Sequence, residues 1–199
     1  FNPGDDFKLA TYEQIIGYLE VLAEETERIQ IHDMGLTSEG RRMMYAVIAS
    51  ENTMARLDRY KEITRRLSLV RDVTADEADE LSEEGKAVVW IDGGLHSTEV
   101  APSMVNVRLA YDMVTDDSRQ SRFIRDNVIL LLGFPNPDGV TRVAEWYMKN
   151  VGTQYETSPL PELYHKYIGH DNNRDSFIAN VSETWNMNRL TGQEWFPEI

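Results

Sequence analysis

Residues 87–104 read AVVWIDGGLHSTEVAPSM, and this stretch decides the fold. Its first five residues are apolar and lack the alternation of a half-exposed strand, so we predict a strand that is buried on both faces. Asp92, Gly93 and Gly94 end this strand, and the apolar residues from Val100 onward have helical spacing. A loop between such a strand and such a helix lies at the carboxyl edge of a sheet, where open α/β folds place their sites.

This loop contains an imidazole and a carboxylate, on His96 and Glu99. Side chains three residues apart share a helical face, so both can point at one atom. Neutral imidazole nitrogen and carboxylate oxygen are zinc ligands, and a catalytic zinc takes three protein ligands and an open position for water. The pair therefore supplies two candidate ligands. The alternative is a Glu99 carboxylate that is favoured at a helix N-terminus, beside an unrelated histidine.

Length and composition limit the classes of protein that remain. The 199 residues, 41% of them hydrophobic, suffice for one α/β core, so we expect a single domain over residues 1–199. The chain has 34 acidic and 20 basic residues and a formal net charge of -14, which disfavours nucleic acid and anionic lipid as partners. It has no cysteine, which excludes disulfides and thiolate metal sites. No apolar run is long enough to span a membrane.

Both ends of the sequence are abrupt. The first residue is Phe1 rather than Met, so a leader segment would lie outside the sequence. Residues 195–199, WFPEI, could begin a strand, and no polar tail follows them. We therefore expect a fragment that is truncated at its C-terminal end.

The first 84 residues predict packing elements rather than chemistry. Residues 11–29 have a helical period of apolar positions. Residues 30–34 and 42–50 flank a polar, glycine-containing turn and predict a β-hairpin. Residues 52–84 are charged and loosely periodic, which predicts one or two exposed helices, and Thr74 with Glu77 matches a capping box.

A second apolar run follows the helix that we expect to end near Val114. Residues 127–134, NVILLLGF, predict another central strand. This strand ends in residues 135–139, PNPDG, which predict a rigid loop at the same edge as His96 if the two strands are parallel. The alternative is an ordinary Asn-Pro-Asp-Gly turn.

The segment from residue 164 to residue 180, YHKYIGHDNNRDSFIAN, is too polar for a core element and too aromatic for a linker. Asn172, Asn173 and Arg174 offer amide and guanidinium donors, which suit the binding of a carboxylate by charge-assisted hydrogen bonds. A solvated ion-pair cluster of Asp171 and Arg174 explains the same residues equally well.

Four stretches of the chain resemble the zinc-dependent metallocarboxypeptidases. They are residues 94–99 (GLHSTE), residues 136–139 (NPDG), residues 171–174 (DNNR), and the opening helix and hairpin with Ser38-x-Gly40-Arg41. The resemblance implies the N-terminal part of a catalytic α/β domain, with a mixed, largely parallel central sheet and helices on both faces. It also favours a secreted or periplasmic location, although no targeting segment is visible.

The resemblance implies a role for each matching residue. His96 and Glu99 would bind zinc, and Asn173 with Arg174 would bind the free C-terminal carboxylate of a peptide substrate. The activity implied is the release of C-terminal amino acids by metal-activated water.

The sequence departs from this family in three respects. The family's third zinc ligand is a later histidine, and no histidine follows Arg174. The general-base glutamate and the substrate-capping tyrosine also lie late in the family, beyond Ile199. Met148 is nearest to the position at which the family has an arginine that polarises the scissile carbonyl, which leaves Lys149 and Arg142 as weak candidates for that role.

These departures leave two alternatives to an active carboxypeptidase. A related zinc-dependent deacylase would act on N-acyl amino acids with the same His-x-x-Glu pair. A catalytically inactive peptidase-like domain would bind peptide C-termini and would tolerate Met148. By itself the 199-residue chain is expected to be inactive and to bind zinc weakly, and His170 is the first suspect for a missed ligand.

Overall fold

The computed structural model describes residues 4–169 and 172–199. Its strands are β1 (Ile29–Leu36), β2 (Arg42–Ile48), β3 (Ala87–Asp92) and β4 (Val128–Gly133). Its helices are α1 (Tyr12–Glu25), α2 (Glu51–Met54), α3 (Leu57–Leu69), α4 (Ala75–Glu84), α5 (Val100–Thr115), α6 (Arg119–Asn127), α7 (Pro137–Asn150), α8 (Asn172–Asp175), α9 (Ser182–Arg189) and the π-helix Leu190–Trp195. In these described residues no helix is long and apolar enough to cross a membrane.

The described strands form one mixed sheet in the order β1-β2-β4-β3. The mixed α/β class is confirmed, and the predicted hairpin of β1 and β2 is present. The expectation of a largely parallel sheet is wrong for these strands, because β2 pairs antiparallel with both β1 and β4. A turn as short as residues 37–41 can join only antiparallel neighbours. β3 and β4 form the one parallel pair of the described sheet.

Helices cover both faces of the sheet, as predicted. Leu130 and Leu132 of β4 pack into a cluster with α1 and α5. Ile129 and Leu131 of the same strand face the opposite way and pack with α3 and the π-helix. Successive side chains of a strand point to opposite faces, so the continuous apolar run of β4 serves two cores at once.

β3 differs from the strand that the sequence predicts. It lies at the edge of the described sheet, and Ala87 and Asp92 are exposed while Val88 is buried. The prediction that this strand is buried on both faces is therefore wrong. An apolar run alone does not distinguish a central strand from a partly covered edge strand. Two backbone hydrogen bonds, Glu198 N to Val88 O at 2.9 Å and Trp90 N to Ile199 O at 2.8 Å, place the last residues beside β3.

The predicted helical regions are helical in the structure, but the number of helices and their bounds differ from the prediction. Residues 52–84 lie mainly in three helices, α2 to α4, and α3 buries Tyr60 and Ile63. The capping box of α4 is confirmed, since Thr74 accepts from the backbone N–H of Glu77 and Glu77 accepts from that of Thr74. α6 was not predicted.

Candidate metal and substrate site

The loop after β3 and the start of α7 lie at the same edge of the sheet because β3 and β4 are parallel. Gly94 in this loop has a φ of +85°, a backbone conformation that L side chains rarely adopt. A Cβ at this position would lie 2.5 Å from Cγ2 of Val140 on α7. A glycine here lets the loop that carries His96 pack directly against α7.

The predicted rigid loop at residues 135–139 is wrong from Pro137 onward, where α7 begins. Asn136 is the N-cap residue, and its Oδ1 accepts a hydrogen bond from the N–H of Gly139 at 3.0 Å. Proline fits the first helical position because its fixed φ is helical and its missing N–H has no partner there. The Asn-Pro-Asp-Gly motif is therefore a helix start, which packs against Ser97 through Gly139.

His96 and Asn173 meet although 77 residues separate them. Nδ2 of Asn173 lies 3.5 Å from Nε2 of His96, and both side chains are half-buried. The preceding residue, Asn172, is buried and donates to the carbonyl oxygen of Pro135 at 3.1 Å. The structure thus brings together the loop after β3, the start of α7 and the Asn-Asn-Arg segment.

The other two predicted site residues are more open. Glu99 is exposed at the N-cap position of α5 and makes no side-chain cap hydrogen bond. Arg174 is exposed on α8. His170, and Asp171 of the alternative ion-pair cluster, lie outside the described residues.

The side chains at this edge include residue types that bind zinc, but fewer of them than a catalytic zinc site requires. His96 offers an imidazole nitrogen and Glu99 a carboxylate, both ordinary zinc ligands. Across residues 4–169 and 172–199, no three His, Asp or Glu side chains are grouped so that they could hold a metal ion. The part of the chain that the structure describes therefore provides at most two of the three ligands of a catalytic zinc.

The candidates for carbonyl polarisation have different environments. Arg142 forms an ion pair with Glu39, which raises the pKa of its guanidinium, and donates to Tyr164 O at 3.3 Å. Lys149 is exposed in the last turn of α7. Sδ of Met148 accepts from the N–H of Leu9 at 3.4 Å. Arg142 is thus held in an internal ion pair, whereas the ammonium group of Lys149 faces solvent.

Sequence reasoning missed Asp175, which directly follows Arg174 and is fully buried. Its carboxylate accepts from Asn180 Nδ2 at 2.9 Å and from Val181 N at 3.1 Å. Burial alone would raise the pKa of Asp175, but these hydrogen bonds outweigh it and lower the pKa. We call residues 172–181 the clamp segment, and Asp175 folds this segment back on itself. The sequence feature that could have indicated this role is an aspartate shortly before the start of a helix, because such side chains often accept hydrogen bonds from the backbone there.

The turn between β1 and β2 also has partners that the sequence does not reveal. Ser38 Oγ donates to Oε2 of Glu183 on α9 at 2.7 Å, and Ser38 N donates to Oε1 at 3.1 Å. Arg41 Nε donates to Oδ1 of Asp138 on α7 at 2.7 Å. This polar turn therefore connects α7 and α9.

An open pocket of about 390 Å³ adjoins the His-x-x-Glu turn through Thr98. Its walls are mainly apolar and aromatic, formed by Phe7, Leu9, Val100, Val143, Trp146, Tyr147, Pro159 and Leu160, among others. A larger cavity of about 480 Å³, beside Glu24 and Glu51, is lined by none of the predicted site residues. The smaller pocket thus lies beside the candidate site.

A His-x-x-Glu loop that meets an Asn-Arg segment at the carboxyl edge of a mixed α/β sheet is typical of a metal-dependent peptidase. The family model described as zinc carboxypeptidase, peptidase M14, matches residues 15–195. The chain belongs to this family, and the resemblance found in the sequence is confirmed.

Two solved structures show a more distant likeness. Carboxypeptidase A from Helicoverpa armigera is 19% identical over 75% of this chain and 28% of its own, with a TM-score of 0.49. A metallo-carboxypeptidase from Burkholderia cenocepacia is 17% identical over 77% of this chain and 36% of its own, with a TM-score of 0.40. The chain thus spans about a third of these proteins. A comparison with curated individual proteins gives no significant match.

Proposed function

We propose that residues 1–199 form a single α/β unit, the N-terminal portion of the catalytic domain of a zinc-dependent metallocarboxypeptidase. The enzyme would release C-terminal amino acids from peptides. The observation that supports this proposal is the approach of Asn173 to His96 at 3.5 Å, within a chain of the zinc carboxypeptidase family. It puts a candidate carboxylate-binding group beside a candidate metal ligand, as the cleavage of a terminal peptide bond requires.

His96 and Glu99 would hold the metal. Bound zinc would lower the pKa of its water and polarise the scissile carbonyl. The third ligand and the general base would come from residues other than those described, so the chain by itself should be inactive. Neither candidate cation is ready to polarise the carbonyl, because Arg142 is paired with Glu39 and Lys149 lies at the end of α7 opposite to the helix start that adjoins the His96 loop.

Arg174 and Asn173 would bind the terminal carboxylate of the peptide. A guanidinium presents two parallel N–H donors that match two carboxylate oxygens, and the amide of Asn173 can add a third hydrogen bond. Arg174 is exposed, so an incoming peptide can reach it. The apolar pocket beside Thr98 would receive an apolar side chain of the same peptide.

The test compares matched peptides that differ only in a C-terminal acid or amide. Calorimetric titration of the 199-residue chain should give at least tenfold tighter binding of the acid, because the bound peptide would cover Arg174 and a covered arginine without its anion costs about 2 kcal/mol or more. Arg174→Ala should remove most of this preference. Arg108→Ala removes another exposed arginine, paired with Asp112 on α5, and should leave the preference intact.

Equal affinity of the wild-type chain for acid and amide would refute the exopeptidase proposal. An N-acetyl amino acid serves as a third ligand. If it binds as tightly as the peptide acid, the deacylase alternative is favoured instead.

Non-catalytic binding of peptide C-termini is the second candidate function. Met148, whose sulfur contacts the N–H of Leu9, is the observation that favours it. Substitution of Met148 by arginine in a longer chain should raise the rate of hydrolysis if the enzyme is active. An undetectable rate both before and after the substitution would support the binding function.

A further inference from the structure

A buried histidine that the proposed reaction does not use lies against α9. His165 is 5% exposed, and its Nε2 is 3.7 Å from Oε1 of Glu183, which is 2% exposed. Within the described residues neither ring nitrogen of His165 has a hydrogen-bond partner. Buried polar atoms without partners cost free energy and are rare in folded proteins, so this arrangement requires an explanation.

Charged groups from several elements face this ring. Glu183 approaches from α9, Asp138 and Arg142 from α7, and Glu39 from the turn between β1 and β2. Lys166, the next residue in the chain, lies 4.0 Å from Glu39. Oδ2 of Asp138 is a further buried polar atom that lacks a partner among the described residues. We call His165, Glu183 and Asp138 the buried cluster.

The buried cluster is mechanically connected to the clamp segment. Glu183 lies in the first turn of α9 and holds the turn between β1 and β2 through Ser38. The segment's own anchor, Asp175, accepts from the N–H of Val181 at the start of α9. Any displacement of Glu183 would therefore move the start of α9, and with it the segment that carries Asn173 and Arg174.

We propose that His165 and Glu183 form a proton-sensitive latch that positions the clamp segment, closed when His165 is neutral and opened when it is protonated. The proposal rests on the proposed function only in assigning carboxylate binding to that segment. A proton is the ligand that the buried cluster fits, because residues 4–169 and 172–199 include no three acidic or histidine side chains grouped to hold a metal ion.

The direction of the effect follows from burial. Desolvation of the ring is the largest influence and lowers the pKa of His165, and Arg142 acts in the same direction. The carboxylates of Glu183, Asp138 and Glu39 oppose this lowering without cancelling it. In the open state the ring is hydrated and titrates near its usual pKa of 6.5. The open state therefore binds protons first, and its population rises as the pH falls below that value, until the closed state also binds the proton.

Hydrogen exchange measured by mass spectrometry on the 199-residue chain tests the latch. Rates are divided by the intrinsic exchange rate at each pH. We expect the opening constant of the clamp segment to rise as the pH is lowered from about pH 7 to about pH 5, while that of α1 stays nearly constant. No rise in the wild-type clamp segment would overturn the proposal.

Three variants assign the effect to His165. His165→Gln is neutral at every pH and should abolish the rise. His32→Gln replaces a half-buried histidine that stacks on Tyr45, and it should leave the rise unchanged. Glu183→Gln keeps an acceptor for Ser38 but removes a charge that favours the protonated ring, so its rise should equal or exceed that of the wild type. An undiminished rise in His165→Gln, or a loss of the rise in Glu183→Gln, would contradict the latch.

The exchange experiment contains no peptide, so the latch and the proposed function fail separately. A pH-dependent clamp segment without any preference for peptide acids would overturn the proposed function and leave the latch standing. Acid-selective binding with a pH-independent clamp segment would overturn the latch alone.

Discussion

Gly139 offers a sharp test of the packing between α7 and the loop that carries His96. A Cβ added to this residue would lie 2.3 Å from Ser97 Oγ and 2.7 Å from Asn136 Nδ2, closer than real Cβ atoms approach their neighbours. Gly17, in the middle of α1, is a matched helical glycine with nothing within 4 Å of the same added atom. Gly139→Ala and Gly17→Ala therefore make the same chemical change in a crowded and an open position.

The expected magnitudes follow from these contacts. Alanine in a helix is favoured over glycine by about 1 kcal/mol, and Gly17→Ala should gain roughly that amount. At residue 139 overpacking costs about 1 to 3 kcal/mol. Displacement of Asn136 also weakens its N-cap hydrogen bond to Gly139, which costs about 0.5 to 2 kcal/mol. Gly139→Ala should thus lower the free energy of unfolding by about 2 kcal/mol, and the two variants should differ by about 3 kcal/mol.

Urea unfolding followed by circular dichroism measures both changes, provided that the denaturant slope stays constant. Adding Ser97→Ala to Gly139→Ala removes the nearest clashing atom and should recover part of the loss. The remainder should persist because Asn136 still lies close. A Gly139→Ala variant as stable as the wild type would refute the close packing of this loop on α7.

Three further predictions concern the clamp segment, a helix cap and the metal. Asp175→Asn should destabilise the chain by about 2 kcal/mol at neutral pH, because hydrogen bonds to a buried carboxylate are lost. Since the folded-state pKa of Asp175 is lowered, its contribution is present above about pH 4 and is lost in acid, so wild-type and variant stabilities measured by denaturation should converge as the pH falls. Thr74→Ala should cost about 1 kcal/mol by breaking the capping box of α4, and thermal unfolding should show a lower midpoint than the wild type. Calorimetric titration should show weak zinc binding, with little change in stability in His96→Ala; tight, stoichiometric binding would reveal a third ligand, with His170 as the first suspect.

Much of the site's location could be predicted from two short signals. Apolar runs that end before Gly93 and before Pro135 have few alternatives to strands, and parallel pairing then puts both following segments at one edge. The resemblance to the zinc carboxypeptidases also named His96 and Asn173, which lie close together. These features depend on local sequence pattern and on strand direction, so they can be predicted without knowledge of distant contacts.

The missed features depend on tertiary contacts rather than on local sequence pattern. α6 is polar, and Arg125 is buried because it donates to the carbonyl oxygens of Met113 and Asp116. Ser38 and Glu183 are 145 residues apart, so nothing near either one indicates their hydrogen bonds. Likewise, the environment of β3 depends on residues 198 and 199 rather than on its own apolar run. Such contacts can be found only once the fold is known.

Because β4 contributes side chains to both hydrophobic cores, insertions and deletions in this strand should be poorly tolerated during evolution. Leu130 and Leu132 fill one core and Ile129 and Leu131 the other, and β2 alternates in the same way. Insertion or deletion of one residue in either strand would exchange the two sets of side chains and remove the shape match on both sides of the sheet simultaneously. Length variation among relatives should therefore be absent from β2 and β4 and accumulate in segments such as residues 152–163, where no side chain belongs to either core.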